Sequence, residues 1–339
     1  MRMNKTFIVA ELSANHNHDF EIAKKTIFKM KESGTDGVKL QTYTADTMTI
    51  DCNNKYFTIN KGTLWDGKTL YELYKEAYTP WDWQLELKNY SEELGMICFS
   101  TPFDVTAVDF LEKMNMPIYK VASFEIQDIP LIKYIASKGK PVILSTGIAT
   151  LGDIDEAVTA CRSMGNNQIT LLKCTSAYPA PIEEANLLTI PNLKETFGVE
   201  VGLSDHTMGF ASAVAAVALG ATVIEKHFIL DRKLGGPDAA FSMEPAEFKI
   251  MVNSIREVEK ALGCVSYEIS EKVQKSRIFS RSLFVVKDIK KGELLSEENV
   301  RSIRPGFGMH PKHLPNVLGK KARRDITRGT PLTWKHIAE

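Results

Sequence analysis

The sequence has no paired-cysteine framework, no excess charge of either sign and no long apolar run, and each absence narrows what the chain can be. Its five cysteines, Cys52, Cys98, Cys161, Cys174 and Cys264, are scattered without CxxC spacing. Reduced thiols in a cytoplasmic protein are the natural expectation, and no motif singles out any of the five as reactive. Lysine and arginine total 42, and so do aspartate and glutamate. That balance leaves no electrostatic footprint for nucleic acid or an anionic membrane. No apolar stretch reaches the length needed to span a bilayer. The amino terminus, MRMNKTFIVAEL, has too short an apolar segment for a secretory leader and reads as a first strand. Neither a Walker loop nor a GxGxxG turn is present, so a nucleotide is not indicated.

What the sequence does have is alternation. Short apolar runs ending in polar residues recur at Phe7–Ala10, Val38–Thr42, Ile97–Thr101, Ile118–Ser123, Pro141–Gly147, Ile169–Thr175, Val201–His206 and Thr222–His227. Helical stretches separate most of them, among them 20–31, 81–94, 153–164 and 210–219. Nearly continuous apolar strands of this kind belong to parallel sheets covered on both faces. Eight such units in a chain of 339 residues predict a (β/α)8 TIM barrel with its site on the loops after the strands. A long connection, 45–80, interrupts the pattern and is expected to be functional or mobile. A helix over 245–262 is expected to close the barrel domain, 1–262. Residues 263–282 read as a linker without firm periodicity. Residues 283–339 read as a small, mostly irregular module of short β runs and glycine turns. Within it Asp288-Ile289-Lys290-Lys291-Gly292 and Asp325-Ile326-Thr327-Arg328-Gly329 hint at an internal repeat.

The stretch from Val201 to Phe228 carries the strongest chemical signal. Ser204-Asp205-His206 and Glu225-Lys226-His227 sit at the ends of consecutive strands, which brings two imidazoles into one mouth. Two histidines so placed can form half of a divalent metal site, with water or substrate completing it. The alternative is that each is a satisfied polar residue at a strand end. Further strand-end residues are Glu11, Lys39, Gln41, Thr101, Lys120, Ser123, Glu125, Ser145, Thr146, Thr175, Ser176 and Tyr178. Two lysines inside apolar strands, with hydroxyls beside them, suit an anion such as a phosphate monoester.

Taken in order, several segments resemble the bacterial sialic acid synthase family. They are ELSANH (11–16), VKLQT (38–42), FSTPF (99–103), YKVASFE (119–125), LSTG (144–147), CTSAYP (174–179), GLSDHT (202–207), EKHF (225–228) and GPD (236–238). The resemblance covers nearly the whole chain. The last module resembles that family's antifreeze-like SAF domain, most clearly at Arg304-Pro305-Gly306-Phe307-Gly308. The insertion Gly62-Thr63-Leu64-Trp65-Asp66-Gly67 with Leu70-Tyr71-Glu72-Leu73-Tyr74, and the ELSANH start, are similar to the pseudaminic acid synthase branch. Where N-acetylmannosamine-using members read Thr-Asn-x-Tyr-Pro, this chain has Thr175-Ser176-Ala177-Tyr178-Pro179.

The resemblance implies condensation of phosphoenolpyruvate with an acetamido sugar, here 2,4-diacetamido-2,4,6-trideoxy-L-altrose. N-acetylneuraminic or legionaminic acid synthesis is the alternative. It implies a divalent ion on His206 and His227, Mn2+ with Mg2+ or Co2+ as substitutes. Lys39, Thr101, Lys120, Ser123, Ser145 and Ser204 match phosphoenolpyruvate positions; Glu11, Gln41, Tyr178 and Asp238 match the sugar and metal side. Glu11 and Glu125 are the candidate catalytic carboxylates, Glu125 as the group expected to handle the proton of the attacking water. A domain-swapped homodimer is implied as well, with Arg304 reaching the partner's sugar. Two rivals of other classes are a Schiff-base aldolase and a non-catalytic sugar- or ice-binding protein.

Overall fold

A computed structural model describes residues 5–60, 62 and 64–338. Eight parallel strands close into a barrel in sequence order. They are β1 (Phe7–Glu11), β2 (Gly37–Thr42), β3 (Ile97–Pro102), β4 (Tyr119–Val121), β5 (Val142–Ser145), β6 (Ile169–Cys174), β7 (Glu200–Asp205) and β8 (Val223–His227). The expected TIM barrel is therefore present. Helices α1 (Phe20–Glu32), α2 (Ala45–Met48), α3 (Leu70–Ala77), α4 (Trp81–Glu93), α5 (Val105–Lys113), α6 (Ile129–Ala136), α7 (Leu151–Ser163), α8 (Thr189–Phe197) and α9 (Ala211–Ala218) occupy the connections. The closing helix is α10 (Pro245–Leu262), at the residues expected.

The alternation of strand side chains builds the barrel in rings. Residues such as Ile8, Ala10, Val38, Leu40, Val121, Leu144 and Ile224 face outward into the core beneath the helices. The inward positions form a smaller apolar plug of Val9, Phe99, Ile143, Leu172 and Val223, with Phe7 and Ile118 against it. Gly202 contributes no side chain there because a Cβ would press on Leu172 Cδ2 at 2.6 Å and Val223 Cβ at 2.9 Å. Two residues further along each strand, on the same inner face, stand Glu11, Lys39, Thr101, Lys120, Ser145, Cys174, Ser204 and Glu225. The period of two that makes the plug apolar thus also sets the ring of polar groups directly above it.

Two segments carry helices that the sequence did not reveal. Within the 45–80 connection lie α2 and α3, and both begin with capping boxes, Thr44–Thr47 and Thr69–Glu72. Thr69 followed by Glu72 satisfies the first free N–H groups of α3, a local signal that the Asn- and Gly-rich surroundings obscured. The 263–282 segment is likewise not a plain linker. It carries α11 (Glu271–Ser276), capped by Ser270, whose hydroxyl accepts from the Val273 N–H. The helix α8 between β6 and β7 also went unanticipated.

The chain divides into two compact units, 1–263 and 264–339. The second has its own small core around Leu283, Val285, Leu295, Val300, Val317 and Leu332. An antiparallel pair, β9 (Ser282–Val285) and β10 (Val300–Ile303), runs through it. The two similar phrases noted above face each other. Ile289 and Ile326 bridge antiparallel, the Arg328 N–H donates to Asp288 at 2.7 Å, and the Lys291 N–H donates to Asp325 at 2.8 Å. The repeat is real, and each aspartate caps the other copy's turn.

Candidate active site

Lys39 is the centre of the polar ring. Its ammonium lies 2.9 Å from Glu11 and 2.7 Å from Glu225, all three side chains being almost fully buried. Lys120 is also buried and stands 3.7 Å from Glu225. It donates to Ser145 Oγ at 2.6 Å and to the Val121 carbonyl at 3.0 Å. Ser204 donates to Glu225 at 2.9 Å, and the Gln41 amide donates to Glu11 at 3.0 Å. Two cations and two anions therefore share one water-poor ring.

Burial opposes every one of these charges, and the pairing decides the outcome. For Glu11, Lys39 and His227 outweigh burial and hold the carboxyl at about 2. Burial likewise disfavours charge on Lys39, but Glu11 and Glu225 raise it above the usual lysine range. Lys120 has less compensation, so burial pushes its amine down despite Glu225. Glu125, in the single turn Ser123–Glu125 after β4, is raised by burial to about 7 against the pull of Lys120.

One ring higher stand His206 and His227, with ring centroids 5.3 Å apart. His206 Nδ1 lies 3.0 Å from the Thr175 carbonyl, which fixes the proton there and makes Nε2 the acceptor nitrogen. His227 Nε2 lies 3.2 Å from Glu11, and its Nδ1 lies 3.8 Å from Asp238 Oδ2. Ser13 bonds Asp238 in turn. Burial holds His227 below the usual histidine range, so the ring stays neutral. Its Nδ1 is buried without a hydrogen-bond partner.

These features fit a divalent ion: two imidazoles, each oriented through one nitrogen, with carboxylates beside them. Against burial, Cys174 and the Thr175 carbonyl raise His206 above the usual histidine range, so an ion there would displace a proton. Among the described residues, no group of three or more His, Cys, Asp or Glu side chains is placed to hold an ion unaided. The fit is therefore to the two-histidine arrangement in which water or substrate supplies the remaining ligands.

The rings open into a cavity of about 410 Å³. Of the residues singled out from sequence, Glu11, Lys39, Gln41, Lys120, Ser123, Glu125, Ser145, Tyr178, Ser204, His206, His227 and Asp238 all line it. Thr101 does not; it is buried in the same ring as Lys39, with its hydroxyl unpartnered. Arg304 belongs to the second unit.

Glu225, Cys174, Tyr43 and Trp65 are among the lining residues that were missed or left without a role. Glu225 joins Lys39, Lys120 and Ser204, and only its place two residues before His227 on the inner face could have revealed that. Cys174 continues the polar ring at β6. Tyr43 and Trp65 come from the long connection after β2. The Trp65 indole donates to the Pro237 carbonyl at 3.0 Å and packs on Tyr178 at 5.8 Å. Of the Gly62–Gly67 motif, Thr63 lies outside the described residues. Gly147 leaves room at this level: its N–H donates to Ser123 Oγ at 3.1 Å, and a Cβ would press on that oxygen at 2.7 Å and more tightly on Ser176 Oγ.

Known proteins place this geometry in a family. Residues 26–267 match the NeuB family and residues 280–338 match the SAF domain. The chain belongs to the NeuB family. It is 50% identical over 331 residues to a pseudaminic acid synthase of Helicobacter pylori, covering 97% of each chain. A Campylobacter jejuni N,N'-diacetyllegionaminic acid synthase is 40% identical over 326 residues, covering 95% of this chain and 97% of the other. Among solved structures, an N-acetylneuraminic acid synthetase from Leptospira borgpetersenii superposes with a TM-score of 0.72 at 32% identity. That match covers 80% of this chain and 90% of the other. Membership makes the chain a nonulosonic acid synthase, and the SAF domain at its C-terminus accounts for the second unit.

Proposed function

We propose that this NeuB-family enzyme condenses phosphoenolpyruvate with 2,4-diacetamido-2,4,6-trideoxy-L-altrose to give pseudaminic acid and phosphate. The observation that supports this most directly is the buried ring of Lys39, Lys120, Ser145 and Ser204 beneath paired histidines. It supplies ammonium and hydroxyl donors for a phosphate-bearing anion at the floor of the cavity, although Glu11 and Glu225 balance the charge of Lys39. Identity near 50% to a pseudaminic acid synthase, against 40% to the legionaminic enzyme, favours the altrose sugar.

In the reaction, C3 of phosphoenolpyruvate attacks the sugar aldehyde carbon, the carbonyl π pair passes to oxygen, which takes up a proton to become a hydroxyl, and C2 acquires positive character. Water adds to C2, losing its proton, and the resulting intermediate expels phosphate by C–O cleavage. Lys39 and Lys120 hold the phosphoenolpyruvate anion throughout, and Ser145 and Ser204 orient it. Ser123 completes that side of the floor, and Thr101 stands in the same ring behind it. Gln41, Tyr178 and Asp238 line the sugar's part of the cavity. Glu125 takes the water proton in this reading, supported by a carboxyl raised to about 7 and one buried oxygen without a partner. Glu11 orients His227 and neutralises the floor. His206 and His227 would hold a divalent ion, Mn2+ by preference and Mg2+ or Co2+ otherwise, which would supply Lewis-acid polarisation of the aldehyde.

Phosphate release from phosphoenolpyruvate tests the reading. Release is expected with the diacetamido-trideoxy-altrose, is abolished by chelation and returns with Mn2+. Release with N-acetylmannosamine instead would move the substrate assignment and keep the chemistry. Release that survives chelation would remove the ion. Arg304 is proposed to reach the sugar of a partner subunit in a domain-swapped homodimer. Arg304→Ala is then expected to raise the sugar KM about tenfold or more, as befits a lost charged hydrogen bond, and to leave the phosphoenolpyruvate KM unchanged.

A further inference from the structure

The apolar face of α3 is turned into a cavity. Leu70, Leu73, Tyr74 and Ala77 recur at the spacing of one helical face, and all four line the site. None of the four joins the apolar cores of the barrel unit, although Leu73 and Ala77 are buried. Met48 and Ile59, from the same connection, extend the surface. Among the described residues, this connection brings no charged side chain to the cavity. Every charged lining group comes from a strand end, from the turn after β4 or from Asp238. The site is thus polar at its floor and apolar at its roof.

Two phenols stand beside this apolar face. The Tyr43 and Tyr74 rings pack together at 5.8 Å. Apart from burial, the main influence on the Tyr74 hydroxyl is Glu125, and that on the Tyr43 hydroxyl is Asp238. Leu70, Leu73 and Ile59 themselves carry no polar side-chain atom that could bond a ligand hydroxyl. A helix capped at Thr69 and carrying leucines at its first and fourth positions gains little by facing an open cavity. It gains more if an apolar part of a ligand covers it.

We propose that the α3 face, chiefly Leu70 and Leu73 with Met48 and Ile59, is the specificity surface that receives the methyl terminus of a 6-deoxy sugar. The inference rests on the reading above, which sets the direction of the sugar. The aldehyde carbon has to meet C3 of a phosphoenolpyruvate held on Lys39 and Lys120. The far end of the sugar chain therefore points away from the floor, toward the roof. A hydroxyl at that end would lose its water against Leu70 and Leu73 and find no partner there. An apolar pocket discriminates against one added hydroxyl by about 10- to 100-fold, not more.

The experiment compares 2,4-diacetamido-2,4,6-trideoxy-altrose with its 6-hydroxy counterpart, reading the ratio of their kcat/KM values. The wild type is expected to prefer the deoxy sugar by about 10- to 100-fold. In Leu73→Asn the ratio is expected to fall to within a few-fold of one, whereas Leu73→Met keeps it. A folding defect lowers both rates together, so the ratio is read on variants whose melting temperature stays near that of the wild type. Leu70→Asn, at a half-exposed position, replaces Leu73→Asn if the latter does not fold. A wild-type ratio near one, or a preference untouched in the folded asparagine variant, overturns the inference alone. No turnover of either sugar by the wild type, with another acetamido sugar accepted, overturns the substrate reading and this inference with it.

Discussion

Lys39→Met is expected to lower kcat/KM for phosphoenolpyruvate by about 10³-fold or more, the scale of losing a preorganised charge contact inside a dry site. The same substitution is expected to destabilise the fold by about 3–5 kcal/mol. The cause is what it leaves behind: Glu11 at 2.9 Å and Glu225 at 2.7 Å lose their shared cation inside the barrel. Breaking a buried pair by removing one partner strands the other charge, which costs more than the pair contributes net. Thermal or denaturant unfolding measures the loss. It should also change sign with pH. In the wild type Glu11 sits at about 2, so its contribution is full above the ordinary carboxylate range and fades as pH falls toward 2. Without Lys39, burial raises both carboxyls, and the variant becomes most stable in mild acid.

The double variant Lys39→Met/Glu225→Gln separates structure from catalysis. Neutralising Glu225 relieves one stranded charge and is expected to restore roughly 2 kcal/mol of stability, a coupling typical of residues in one network. Activity is not expected to return, because the anion-binding charge is still missing. Recovery of both together would mean that Lys39 serves only to neutralise the ring, and its role as a phosphoenolpyruvate ligand would have to be dropped.

The barrel and most of its site were legible because both obey the same two periods. Strand and helix alternation exposed the eight units, and polar residues at the carboxyl ends of apolar runs exposed the site. Lys39 and Lys120 stood out because lysines inside apolar strands have few bland explanations. Glu225 was harder to read. It adjoins Lys226 and His227, and sequence does not show that 225 and 227 face inward while Lys226 turns outward to a buried pair with Asp205 at 2.7 Å. The roof was harder still. Leu70, Leu73 and Ala77 have an ordinary amphipathic spacing, and nothing local distinguishes a helix facing a cavity from one facing a core. The closure of the 45–80 connection over the barrel is tertiary: Trp65 reaches the Pro237 carbonyl across 172 positions of sequence. Asp288 and Asp325 are the converse case, where a faint repeat foretold a reciprocal pair of capping bonds.

Glu125→Gln is expected to lower kcat by about 10²- to 10³-fold, within the range of lost general-base catalysis, and to change two pH profiles at once. The carboxyl sits at about 7 because burial disfavours its charge more than Lys120 favours it. If the ionised form takes the proton from water attacking C2, the wild-type rate rises with pH through about 7 and then levels. Glutamine has no such limb. The stability profile runs the opposite way. A carboxyl raised in the fold binds its proton more tightly there than in the unfolded chain, so its contribution is full below about 4.5 and is lost as pH rises through about 7. That loss amounts to roughly 3 kcal/mol at most, and Glu125→Gln should abolish this part of the dependence. The two readouts are independent. A variant that flattens the stability profile but keeps the rate limb would show that Glu125 is a buried acid without a catalytic task, and the water proton would have to leave by another group. A variant that loses both ties the strain of burying this carboxyl to its use: the desolvation that weakens the fold above neutrality also places its basicity near the working pH.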